Sequence, residues 1–83
     1  MATTQDDIRR WFEEAKRRGA THIVVACDTF SNEDYPVYVM PGEDVKKVEE
    51  EYQSKKMSKV MEVYSMKLDL ESQLQETRAF HYD

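Results

Sequence analysis

The chain contains a single cysteine, Cys27, and only two glycines, two prolines and two histidines among 83 residues. One cysteine can form no disulfide within the chain, which excludes a disulfide-stapled secreted scaffold. So few glycines leave no Gly-rich loop to shape a pocket, and no flexible linker is visible. His22 and His81 stand apart, and two isolated histidines are no zinc signature. No apolar run approaches the ~20 residues of a membrane span. The opening MATTQDD is acidic and polar, without a hydrophobic signal core. These absences lead us to expect a soluble, cytoplasmic protein with no membrane partner. There is no internal repeat and no low-complexity tract. The length suits a single domain, 1–83, burying roughly 60–65% of its unfolded surface. A core that small is marginal, or is helped by a partner.

What is present is charge, unevenly spread. The net charge is −5. Residues 1–20 carry five basic and four acidic side chains, residues 21–54 two and eight, and residues 55–83 five of each. The acidity therefore belongs to the middle of the chain. Phosphate repulsion argues against direct nucleic-acid binding, and a larger protein with a basic surface is the natural partner.

Residues 4–18 read as a helix. Ile8, Trp11, Phe12 and Ala15 form one apolar face. Thr4 with Asp7 resembles a capping box, and Gly19 is suited to the position just past the end. Residues 21–27 are β-branched and apolar on both faces, as in a strand covered on both sides. Residues 36–40 read as a second strand, Pro36 starting it, and the short connection predicts an antiparallel hairpin. After Pro41-Gly42, residues 43–52 read as a helix with Val45, Val48 and Tyr52 as its stripe. Residues 53–56 read as a kink or turn. Residues 57–80 read as one long helix of about 35 Å, with two apolar stripes: Met57, Val60, Met61, Tyr64 and Leu68, and Val63, Met66, Leu70 and Leu74.

The predicted fold is α+β in the order helix, two-stranded hairpin, helix, long helix. A lone two-stranded sheet is marginal in water and its edges invite pairing. The long helix also carries more apolar surface than one contact needs. Both features predict a homodimer, built through a four-stranded sheet across the subunits or through a helix seam.

Candidate chemistry centres on residues 21–45. Cys27 is followed by Asp28 and has no base on its own face of the strand, so it reads as a packed thiol rather than a nucleophile. Asp28, Glu33 and Asp34, with Glu43 and Asp44 beyond the hairpin, could hold a hard cation, but the spacing matches no EF-hand loop. An electrostatic role is the simpler reading, with Asp28 and Asn32 as turn caps. No catalytic residue, metal ligand or cofactor is assigned. Tyr38, Tyr52 and Tyr64 fall on core stripes. Phe30 and Tyr35 either tuck beneath the loop or stand out as contacts. Met57, Met61 and Met66 read as core filling rather than as a plastic binding groove, and the Lys16-Arg17-Arg18 cluster as a match to the negative end of the helix dipole.

The segments Asp28-Thr29-Phe30, Asp34-Tyr35-Pro36-Val37-Tyr38-Val39 and Pro41-Gly42-Glu43-Asp44, with the later VMEVYSM and ETRAFHYD, resemble a group of small proteins of tailed phages and prophages. The resemblance covers most of the chain. It implies a setting, small and phage-borne, and no activity or site residues. Many proteins in that setting bind and block a larger one, as anti-CRISPR proteins do.

Three functions follow as expectations. The first is a non-enzymatic, inhibitor-like binding module that docks an acidic surface on a basic, nucleic-acid-binding patch of a host protein. Its contact residues would be Asp28, Phe30, Glu33, Asp34, Tyr35, Glu43, Asp44, Glu49 and Glu50. The second is a small metal-dependent enzyme with the loop carboxylates as ligands. The third is a structural, virion-associated protein.

Overall fold

A computed structural model describes residues 4–76 and 79–82. Helix α1 spans Gln5–Arg18, strand β1 His22–Asp28, strand β2 Glu33–Val39, helix α2 Val45–Ser54, strand β3 Ser58–Ser65 and helix α3 Leu70–Leu74. The three strands form one antiparallel sheet in the order β2-β1-β3. Thus α2 carries the chain across the sheet, and β3 enters on the far side of β1.

The α1 signals act as read. Thr4 and Asp7 form a reciprocal capping box, and Gly19 closes the helix in the left-handed conformation at φ 76°. Every residue of β1 from His22 to Ala26 is buried. Ile23 and Val25 pack with Ile8, Phe12 and Ala15 of α1, with Tyr64 of β3 and with Leu74 of α3. Val24 packs on the other side with Val39, Val45, Val60 and Val63, against Val48 and Tyr52 of α2. The sheet is therefore the middle of three layers, with α1 and α3 on one face and α2 on the other. Pro36 lies within β2, opposite Val25, rather than at the strand's start. Proline is tolerated in an edge strand where its nitrogen faces away from the neighbouring strand.

The long helix over 57–80 does not form. At about 35 Å it would exceed the molecule's longest dimension, 31 Å. Its first half is β3, whose helix-like apolar period comes from a β-bulge. Val25 pairs with Glu62 but Ala26 pairs with Val60, so Met61 is an extra residue on β3. A bulge resets the alternation of faces. Val60 and Val63 consequently share the α2 face, while Met61 and Tyr64 share the α1 face. The resulting spacing of three imitates a helix. Among the described residues of the second half, the one helix is the five-residue α3, capped by Asp69, which accepts from Ser72 N at 3.1 Å. Part of the predicted span, Thr77 and Arg78, lies outside the described residues.

The hairpin thus finds its third strand within its own chain, which removes both premises of the expected homodimer. The outer edge of β3 is sealed as well. Val60 N donates to Gln53 Oε1 at 2.8 Å. Val63 N donates to Ala79 O at 2.7 Å, and Val63 O accepts from His81 N at 3.0 Å, in a short parallel bridge. Ser65 N donates to Gln73 Oε1 at 2.9 Å, and Ser65 O accepts from Gln73 Nε2 at 3.0 Å.

Gln73 is 2% exposed, and its Nε2 also lies 3.3 Å from both Leu68 O and Asp69 O. Its amide replaces a missing backbone neighbour for Ser65. Gln73→Ala should lower stability by roughly 2–4 kcal/mol through unsatisfied buried backbone groups and lost packing. Gln73→Glu, which keeps the shape but sets a carboxylate against three carbonyls, should be no better at neutral pH. Urea unfolding of the three proteins checks both.

Candidate interaction surface at the hairpin end of the sheet

The β1–β2 turn, residues 29–32, is built from local hydrogen bonds. Asp28 Oδ1 accepts from Phe30 N at 2.9 Å, and Asn32 N donates to Asp28 O at 2.7 Å. Asn32 takes φ 58°, the left-handed region that Asn tolerates. Thr29 N then donates to Met57 O at 3.0 Å, joining this turn to the one that leads into β3. In that second turn Ser58 N donates to Lys55 O at 3.2 Å, and Met57 takes φ 64°. A turn with positive φ at its third residue usually places Gly or Asn there. A methionine in this conformation costs about 1–2 kcal/mol.

Two large apolar side chains stand out at this end: Phe30 is 80% exposed and Met57 52%. Of the two readings for Phe30, the outward one is correct. Tyr35 takes the other course. Its hydroxyl lies 3.1 Å from Ser58 Oγ, and its ring meets Tyr52 edge-on at 6.3 Å, tying the hairpin to β3 and α2. The expectation that Met57 fills the core fails, because the residue lies in a turn ahead of β3 rather than on a helix stripe.

The strand register decides the charge here. Asp34 on β2 and Lys59 on β3 both lie opposite Cys27, one on each side. Asp28 lies opposite Glu33 on one side and Ser58 on the other. Lys56, exposed, sits in the turn beside Met57. The hairpin end therefore carries acids along its β2 side and lysines along its β3 side.

The remaining acids expected to join this surface do not. Glu43 and Asp44 lie at the opposite end of β2. Glu43 Oε1 accepts from Met40 N at 2.7 Å, and Asp44 is the N-cap of α2, accepting from Lys46 N at 2.9 Å. Glu49 is half-buried and accepts from the Tyr82 hydroxyl. Glu50 is exposed on α2. The acidic run in the sequence is thus spread over both ends of the sheet and one helix, and the structure gathers only Asp28, Phe30, Glu33, Asp34 and Tyr35. It adds Met57, and Lys56 and Lys59, which no local signal marked.

Cys27 is half-buried, and its Sγ lies 3.7 Å from Asp28 O. Burial and the neighbouring Asp34 push its thiol up, the opposite of activation. His22 lies at the other end of β1. Among the described residues, no three His, Cys, Asp or Glu side chains come together to hold a metal ion. An open groove of about 440 Å³ runs beside α1 past Met66, Leu68 and Leu70. No described helix is long and apolar enough to cross a membrane. No family model matches the chain, nor does any curated protein or solved structure.

Folded protein should react with iodoacetamide at Cys27 several-fold more slowly than urea-unfolded protein at neutral pH, as timed mass spectrometry would read. A second expectation concerns alkali. Burial, then the carboxylate of Glu49, pushes Tyr82 up from 10.0 to about 12. Burial raises Tyr64 too, whose hydroxyl donates to Glu62 Oε2 at 2.8 Å. The folded chain keeps these protons after the unfolded chain has lost them. Their contribution is complete below the unfolded value and drains as pH climbs through the folded one. Melting temperature should therefore fall between pH ~10 and ~12, less steeply in Tyr82→Phe.

Proposed function

We propose that the protein is a non-enzymatic binding module that docks on a larger protein through the hairpin end of its sheet. Phe30 is the observation that carries this reading. Among the described residues it is the most exposed of the large apolar side chains, and it is held on a turn fixed by hydrogen bonds to Asp28 and Met57. Exposed aromatics on preorganised elements are typical anchors of interfaces. The strained backbone at Met57 supports the same end, because such strain concentrates at functional positions. Glu33 and Asp34 fit a basic patch on the partner, while Lys56 and Lys59 call for an acidic or polar patch beside it. A uniformly basic surface fits less well than the linear charge pattern suggested. The resemblance to small phage proteins favours a phage-borne inhibitor acting in the host cytoplasm.

Phe30→Ser should change folding stability by no more than about 0.5 kcal/mol, yet weaken docking about thirtyfold, as loss of a hot-spot side chain does. A photo-crosslinking residue placed at position 30 in producing cells should capture one larger protein, and the same residue at Glu13 on α1 should not. Equal capture at the two positions, or none at position 30, refutes the docking reading.

A further inference from the structure

The hairpin end has a symmetry of charge that the sequence does not display. Its acids, Glu33 and Asp34, lie along β2, and its lysines, Lys56 and Lys59, lie along or just before β3. β1 separates the two sides, placing them about 10 Å apart, two strand spacings. Phe30 stands on the turn between β1 and β2, and Met57 immediately precedes β3, so the exposed apolar pair flanks the end of β1. A twofold axis through this end, perpendicular to the sheet, turns a second copy upside down and exchanges left for right. The β2 side of one copy then faces the β3 side of the other, twice over. Acid then faces lysine on both flanks, and Phe30 of each copy faces Met57 of the other. A twofold contact requires a surface complementary to itself, and this charge layout meets that condition.

We propose that the hairpin end pairs with the hairpin end of a second copy, Phe30 of each packed against Met57 of the other and Glu33 and Asp34 set against Lys56 and Lys59 of the other copy. This goes beyond docking on a larger protein and uses the same surface. Self-pairing and docking therefore compete for one surface. The contact area is small, which places the association in the weak class. It differs from the homodimer expected from the sequence, because neither a shared sheet nor a helix seam is involved.

The test uses the purified chain alone, so its failure leaves the crosslinking result at position 30 intact. Sedimentation equilibrium at ~1 mM protein should show association of the wild type that Phe30→Ser reduces at least fivefold. Glu33→Lys/Asp34→Lys makes both flanks basic, and Lys56→Glu/Lys59→Glu makes both acidic. Each should sediment as a monomer, while their equimolar mixture should associate at least as strongly as the wild type. If Asp34→Lys disturbs folding around Cys27, Glu33→Lys mixed with Lys56→Glu gives the same pattern with smaller amplitude. A mixture no more associated than its separate components, or a wild type that stays monomeric at ~1 mM, overturns the proposal. A surface that serves only another protein gives that second result.

Discussion

The structure depends on one strand that has to be enclosed from four directions. From His22 to Ala26, β1 has no exposed residue. Its two faces require a helical layer each, and its backbone requires a hydrogen-bonded strand on each side. β2 alone would leave one edge of β1 unpaired within the interior. The crossover through α2 supplies β3 on that edge and covers the second face at the same time. One connection thus meets two requirements of the same strand, which is why so short a chain can carry a three-layer arrangement.

With β1 enclosed, the exposed edges pass to β2 and β3, and the chain deals with them differently. Pro36 interrupts the regular run of donors along β2. Along β3 the outward groups are taken up by Gln53, by the segment 79–82 and by Gln73. Two of these partners are side-chain amides, which offer a donor and an acceptor without needing a further strand. Strand pairing between copies, the usual consequence of an open edge, therefore has little backbone left to use on β3.

The same register that completes the sheet rearranges the charge. Along the chain, the acids of residues 21–54 form a block. In the fold, Glu43 and Asp44 become caps at one end of the sheet, Glu49 becomes the acceptor for Tyr82, and only the acids of the hairpin remain at the other end. Lys59 arrives across β1 from Asp34, both opposite Cys27. An interaction surface that reads as acidic in sequence becomes two-signed in space, with an apolar pair. Its two exposed side chains sit on turns joined by the Thr29–Met57 hydrogen bond, so neither turn positions them alone.

Features whose causes are local were legible in the sequence. Helix α1 is specified by its capping box, its stripe and Gly19, all within a few residues of one another. The same holds for the enclosed character of β1 and for the β1–β2 hairpin, whose turn is closed by its own Asp28 and Asn32. Tertiary structure decided the rest. Residues 58–65 carry a period that suits a helix, and only pairing with β1, with Met61 bulged out, makes that period serve the two faces of a strand. The exposure of Met57 and the placing of Lys59 across β1 from Asp34 follow from that pairing. Both depend on residues more than twenty positions apart in the chain, a range over which no helix stripe, cap or turn signal acts.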